Sequence, residues 1–515
     1  MLSMDDANVG AGEMQLALQP KSSTPIYRQI ESQIRALILS GRLPQGCRLP
    51  SERALAQRLG VNRTTVVNAY RELAADGLIA GHVGQGTLVL GIAPRREEES
   101  SFSVPLAWTG LIRSRPRESS LARRVATLSV QEGIISLAAG TSDPLPSPYL
   151  HLERAMKRVL AVGSQELLED SPAEGLPPLR VELARRLALK GCGKVSPRQV
   201  FVLSGSQQGL YLVAQLLLQP GDAVLVESPT YLGALEVFHA VGARLVAVPL
   251  DEWGMQVEAA ERLLAHAGVR LIYTIPNFQN PTGSTLSGER RKRLLSLAQR
   301  YQVPILEDDL YGDFSYGASP PAPIRALDAN GYVLYLGSLS PLLGSGLRLG
   351  WLLVPPAVTE PLLALRQAMD LHPNNFVQAV VRELIADGSL EAHLEWVRRV
   401  YARRRDAIVS ALQQHMPAEV RWHNPEGGFF IWCSLPEPLT GRQLLEEAAA
   451  TGVVFVPGEL FFPNGNGERF LRLNFAHLPE EDVEEGVRRL ASALRRLQAT
   501  TQQRPEVSQA TRPVV

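Results

Sequence analysis

The 515-residue sequence has no excess charge of either sign: 52 lysines and arginines balance 52 aspartates and glutamates. That excludes a polycation coating nucleic acid with its whole surface, so any such contact has to come from a local basic patch. Cysteine is scarce. Cys47, Cys192 and Cys433 lie far apart, which excludes a disulfide framework and the paired spacings of zinc sites, and no metal is expected. No apolar run approaches the ~20 residues needed to cross a bilayer. The acidic, polar stretch Met1–Met14 lacks the basic-then-apolar order of a signal peptide. Together these absences predict a cytoplasmic protein.

What is present is an ordinary core-forming composition, 45% hydrophobic and 20% charged, arranged in blocks. Residues 1–20 show no period and are expected to be disordered. Residues 21–90 read as helices followed by strands. A Pro-, Ser- and charge-rich stretch begins at Gly91-Ile-Ala-Pro-Arg-Arg-Glu-Glu-Glu, and residues 91–132 are read as a linker. Over 133–498, short apolar strands such as Ala223–Glu227, Leu271–Ile275 and Val303–Glu307 alternate with amphipathic helices, which predicts an α/β layer fold. Residues 499–515 are expected to form a loose tail.

In the first block, Ile26, Ile30, Ile34 and Ile38 recur at helical spacing over Pro25–Ser40. Ser51 is placed to cap a second helix ending at Gly60, and Asn62 to cap a third running from Arg63 to Asp76. Leu78–Leu90 reads as a hairpin with a glycine-rich tip. This order is a winged helix–turn–helix. A recognition helix touches base edges mainly through its N-terminal residues, here Arg63, Thr64 and Thr65. Arg53 sits early on the preceding helix, where a phosphate would lie, and Gly84 lets the wing approach a groove closely. The run Leu49-Pro-Ser-Glu-Arg-Ala-Leu-Ala-Gln-Arg-Leu-Gly-Val-Asn-Arg-Thr-Thr-Val closely resembles the DNA-binding domain of the GntR family. The resemblance implies DNA contacts at Arg53, Arg63, Thr65 and Gly84, with double-stranded operator DNA as the partner.

Four segments of the second block share one explanation. They are Leu203-Ser-Gly-Ser-Gln-Gln-Gly, Glu227-Ser-Pro-Thr-Tyr, Asn277-Phe-Gln-Asn-Pro-Thr-Gly with Ile305-Leu-Glu-Asp-Asp-Leu-Tyr-Gly, and Gly337-Ser-Leu-Ser-Pro-Leu-Leu-Gly-Ser-Gly-Leu-Arg-Leu-Gly-Trp. The first joins small residues to a helix N-terminus, a ready-made phosphate site. In this order they resemble the fold-type-I aminotransferases, which use pyridoxal phosphate. The resemblance implies that Asp308 meets the pyridine nitrogen, Asn280 and Tyr311 the ring hydroxyl, and Tyr231 the ring face. It assigns the phosphate to Ser206, Gln207, Ser338 and Arg348, counts Ser340 among the cofactor-binding residues, and gives a ligand carboxylate to Arg472. A GntR-like reader joined to such a domain is the layout of the MocR-type regulators, for which an amino or pyridoxal-phosphate-like effector and a head-to-tail homodimer are implied.

Two positions depart from the family pattern. The motif Ser-x-Ser-Lys, with arginine seven residues after the lysine, keeps Ser338, Ser340 and Arg348 but has Pro341 at the lysine. Proline has no amine to hold the cofactor covalently or to move the α-proton. The five lysines, Lys21, Lys157, Lys190, Lys194 and Lys292, all lie away from this motif. In Glu169-Asp-Ser-Pro-Ala-Glu-Gly175, Asp170 stands where the family has a phosphate-binding tyrosine, and a carboxylate there would repel a phosphate. No catalytic residue is therefore assigned. The sequence predicts a regulator whose second domain senses an effector or dimerises, with pyridoxal phosphate bound at most non-covalently or not at all. A working aminotransferase with an accessory DNA module is the alternative.

Overall fold

A computed structural model of the chain describes residues 16–19, 24–40, 42–82, 86–90, 119–143, 148–163 and 165–502. Two compact units divide at Arg113 and Ser114. In the first, α1 (Ile26–Leu39) is followed by β1 (Arg48–Leu49), α2 (Glu52–Leu59), α3 (Arg63–Ala75), β2 (Ile79–His82) and β3 (Gly86–Val89). Ile30, Ile34 and Ile38 of α1 are buried against Leu55, Val66, Ala69 and Leu73. Truncating such a side chain to alanine costs ~2–5 kcal/mol, a large share of the stability of so small a unit. Ser51 Oγ accepts from Ala54 N at the start of α2, and Gly60 ends it in the left-handed conformation. Asn62 Oδ1 accepts from Thr64 N and so starts α3. The wing is wider than a hairpin. Arg48 and Leu49 pair with Leu88 and Thr87 to make a three-stranded sheet, an edge too short to show a period in sequence.

The expected disordered N-terminus ends earlier than residue 20. Residues 16–19 lie along α1, where Gln33 pairs with both the N–H and the carbonyl of Ala17 (2.9 and 2.8 Å), and Gln29 does the same for Gln19. Two glutamines one helical turn apart supply the amide partners that an extended arm needs.

The linker also ends earlier than expected, because Ser120–Ser129 is a helix, α4, of the second unit. Its Leu121, Val125 and Leu128 fall at i, i+4 and i+7 and are all buried, so apolar spacing overrides the arginine- and serine-rich composition around it. At the other end the last helix, Glu480–Gln502, takes in the first four residues assigned to the tail.

The second unit is built on an eight-stranded sheet. Its spatial order is Val200–Leu203, Gly350–Leu353, Val333–Ser338, Ile305–Asp308, Val269–Thr274, Ala223–Ser228, Arg244–Asp251 and Gly254–Met255. The five strands from Val333–Ser338 to Arg244–Asp251 are parallel, and Gly350–Leu353 runs antiparallel to both its neighbours. Helices cover the sheet, which explains why these strands are near-continuous apolar runs rather than alternating ones. A smaller four-stranded sheet carries Phe430–Ser434 against Phe470–Asn474, with helix Gly441–Ala450 on its edge strand, and the long helices Ser389–His415 and Glu480–Gln502 pack on each other. Among the described residues no helix is long and apolar enough to cross a membrane.

Candidate effector pocket and DNA-reading surface

Parallel strands end together, and their carboxyl ends open a crevice where loops can converge. Here a cavity of about 140 Å³ lies at that edge, lined among others by Ser206, Gln207, Tyr231, Asn280, Asp308, Tyr311, Ser340, Pro341 and Arg348. Nine of the positions singled out above, from five separate stretches of chain, thus meet in one place. Among the described residues the lining contains no lysine. Lys157 and Lys190 instead pair with Glu153 and Asp313, and Lys194 and Lys292 are exposed.

Asp308 ends its strand and is buried, with Oδ2 accepting from Tyr273 Oη at 2.8 Å. Burial pushes its pKa up to about 7, partly offset by the Tyr273 hydrogen bond and reinforced by the neighbouring Asp309. Tyr231 Oη lies 3.4 Å from Gln207 Oε1, and burial pushes this phenol up to about 12. Asn280 Oδ1 accepts from Arg472 Nη1 at 3.1 Å. Arg472 itself stands beside the cavity rather than on its wall. Its guanidinium is buried between Phe430 and Phe461, 4.2 and 5.1 Å from their ring centres, and is lowered to about 10 by burial. Nη2 donates to the carbonyls of Ala138 and Ala139, while Nε is buried with no partner.

At the opposite end, Gly205 has φ +103° and precedes the helix Ser206–Leu217. A Cβ there would meet Arg348 Nη2 at 2.4 Å, so the guanidinium lies directly on the bare backbone of this turn. Ser340 Oγ, also on the wall, is buried without a partner. Ser338 differs from expectation. Its hydroxyl faces inward, donating to Leu349 O (3.3 Å) and accepting from Ser340 N (3.0 Å), and it is not part of the lining. Being the last residue of a strand, it serves the turn that follows.

Asp170 is not on the lining of this cavity within one chain: its side chain is 97% exposed and lies 3.4 Å from His372 Nε2.

Sequence reasoning missed Tyr273 and the Gly140–Thr141 stretch that lines the cavity, whereas Gly205 falls within the small-residue segment already read as a phosphate site. Tyr273 had a usable signal, as the one aromatic residue in Leu271–Ile275, with a hydroxyl at its tip. Gly140 and Thr141 had none, since their place depends on a chain crossing far from any motif.

On the first unit, Arg53, Asn62, Arg63 and Thr64 are exposed and Thr65 is half-buried at the start of α3. Arg63 Nη2 lies 3.2 Å from Glu52 Oε2. Gly84 lies outside the described residues.

Residues 26–89 match the bacterial regulatory proteins of the gntR family, and residues 132–490 match aminotransferase class I and II. The chain is 34% identical to the uncharacterized HTH-type transcriptional regulator YisV of Bacillus subtilis, over 93% of this chain and 97% of the relative. It is 28% identical to the probable rhizopine catabolism regulatory protein MocR of Rhizobium meliloti, over 94% and 97%. Over its second unit it is 38% identical to aromatic-amino-acid aminotransferase 1 of Thermococcus litoralis, covering 73% of this chain and 92% of that one. The multiple substrate aminotransferase of Thermococcus profundus superposes with a TM-score of 0.72 at 35% identity, over 76% of this chain and 99% of that chain. The chain belongs to the MocR-type regulators, GntR-family winged helix–turn–helix proteins that carry an aminotransferase class I and II domain.

Proposed function

We propose that this regulator reads operator DNA through Arg53, Asn62, Arg63, Thr64, Thr65 and Gly84, and that its aminotransferase-like domain is a non-catalytic receptor. The observation that carries the second half is Pro341 on the wall of a cavity whose described lining holds no lysine. Aminotransferase chemistry needs an amine at that place, both to hold the cofactor and to move a proton.

The remaining residues fit pyridoxal phosphate or its amine form. Ser340 Oγ is a buried hydroxyl in need of a partner, and the bare turn at Gly205 with Arg348 upon it is a cradle that any side chain would fill. Ser206 opens the adjoining helix, whose free N–H groups favour an anion. Asp308 would face the ring nitrogen, Asn280 and Tyr311 the ring hydroxyl, and Tyr231 with Gln207 the ring face and phosphate. Such a group supplies an electron-withdrawing ring. In this chain it would be held by hydrogen bonds and charge alone. Binding would favour one arrangement of the two readers of a head-to-tail homodimer and so change operator affinity. The site of action is the cytoplasm, on the nucleoid.

The test is to select bound fragments from genomic DNA with the purified protein and measure their affinity with and without pyridoxamine 5′-phosphate. A change of about tenfold, ~1.4 kcal/mol of coupling, supports the receptor reading. The alternative reading, an active aminotransferase, draws on the 38% identity to an enzyme of that class. It requires turnover of an amino acid by wild-type protein, which the receptor reading excludes.

A further inference from the structure

The turn Ser204–Ser206 hangs from the edge of the large sheet. The strand before it, Val200–Leu203, is the first in the sheet order, and among the described residues Gly350–Leu353 is its one partner strand. On the open side no neighbouring strand holds the chain, so its polar groups need other partners. Val202 N donates to Glu174 O there (2.8 Å), and Val202 O lies 3.5 Å from Arg366 Nη1. Ser204 N, the first amide beyond the strand, donates to the side chain of Gln208 (2.8 Å).

Resting on the reading of the ring cavity as a phosphate-ligand site, we propose that Gln208 is a positioning residue for that phosphate, set in place from behind by Arg366 and Asp370. The two glutamines of the turn point opposite ways. Gln207 lines the cavity, whereas Gln208 is absent from the described lining and faces the helix Pro356–Asp370. Its Oε1 accepts from both Ser204 N and Arg366 Nη1 (2.7 Å), and its Nε2 donates to Asp370 Oδ2 (2.7 Å). An amide has one accepting end and one donating end, so a cation beside the first and a carboxylate beside the second fix its orientation. Arg366 is completely buried, and its Nε lies 2.6 Å from Asp370 Oδ1, which closes a triangle of three side chains.

The triangle acts where the backbone is least determined. Gly205, at φ +103°, lies between Ser204, which Gln208 holds, and Ser206, which opens the helix. With Ser204 N engaged by Gln208, an anion is left the amides at the helix start and the Arg348 guanidinium on the Gly205 backbone. Asp370 is itself held. Leu371, next in the chain, has φ +61°, a conformation that residues with side chains rarely adopt, and His372 N donates across it to Asp370 O (2.7 Å). Such strain persists where the surrounding contacts over-determine the chain.

Calorimetry and phosphorus NMR with pyridoxamine 5′-phosphate on the full-length protein test the proposal. Gln208→Glu keeps an acceptor for Ser204 N but sets a carboxylate against Asp370, and is expected to weaken binding about tenfold. It is expected to move the phosphorus resonance of the bound ligand while the ring absorbance of the complex stays that of wild type. Gln208→Glu combined with Asp370→Asn reverses donor and acceptor across the same contact and conserves charge. This pair is expected to recover most of the affinity and the wild-type phosphorus resonance. Gln208→Leu, which removes both ends of the amide, is expected to weaken binding at least as much as Gln208→Glu. Wild-type affinity in Gln208→Leu, no recovery in the double variant, or a change in ring absorbance equal to the change at phosphorus would overturn the proposal. The receptor reading survives each of these outcomes as long as wild type binds. If wild type does not bind pyridoxamine 5′-phosphate, the receptor reading fails and takes this proposal with it.

Discussion

The hydroxyl of Ser142 donates to the carbonyl of Pro341 across 2.9 Å, a buried link between residues 199 positions apart. Its neighbour Leu342 O lies 3.1 Å from His393 Nε2, so the short helix Ser340–Leu343 is held from behind by its carbonyls while its side chains meet the cavity. Pro341 sits in the first turn of that helix, where a missing N–H costs nothing. The backbone at this position therefore asks for neither proline nor lysine in particular. Pro341→Lys is expected to fold, with a melting temperature within a few degrees of wild type in the absence of ligand. A collapse of folding would show that proline is there for structure.

Arg63→Ala is expected to abolish selective binding to the fragments recovered with wild-type protein. Glu52 holds the guanidinium at the start of α3, and a recognition helix reads bases there. Wild-type affinity should fall with salt at a log–log slope of about −0.9 per neutralised phosphate. Equal operator binding by variant and wild type in a fluorescence anisotropy titration would remove α3 as the reader.

Arg348→Ala and Gly205→Ala strike the same cradle from opposite sides. The first removes the fork of donors, and the second places a methyl where the guanidinium lies and strains a backbone at φ +103°. Each should lower pyridoxamine phosphate affinity at least tenfold, ~1.4 kcal/mol, read by calorimetry. Arg348→Ala should leave the DNA affinity of ligand-free protein unchanged. Undiminished ligand binding in both variants would place the phosphate elsewhere.

Among the buried carboxyls described in the second unit, Asp308, Glu227 and Glu307 are each pushed up to about 7 chiefly by burial. A raised acid pKa means that the folded state holds protons the unfolded chain has released. The contribution of these three groups to ligand-free stability is thus expected to be full below the ordinary carboxyl pKa of ~4 and to be lost as pH rises through about 7. Asp308→Asn removes one of the three and should flatten this slope, raising the melting temperature at pH 8 by a few degrees. Unfolding curves with an unchanged slope would mean that Asp308 is ionised at both ends of the range.

The sequence made the reader legible because each part announces itself locally: caps at Ser51 and Asn62, a four-residue isoleucine period, glycines at the stops. The pocket was legible where a motif ends a parallel strand, as at Asp308 and Tyr231. It was not legible where the contact is made by crossing chains. Ser338 was assigned to a phosphate by its place in a motif, yet its hydroxyl turns inward to the Leu349 carbonyl. Asp170 stands at the family's tyrosine position in sequence and, within one chain, lies on the surface beside His372. Helix α4 was hidden inside a segment whose overall composition is that of a linker, although Leu121, Val125 and Leu128 carry its period.

The most direct test of the account is covalent capture. Protein mixed with pyridoxal 5′-phosphate and reduced with borohydride is weighed intact, with Pro341→Lys beside it. Wild type is expected to carry no stoichiometric adduct and the variant one adduct, mapped to position 341. A stoichiometric adduct on a wild-type lysine within the pocket would contradict it, and would return the protein to the aminotransferases.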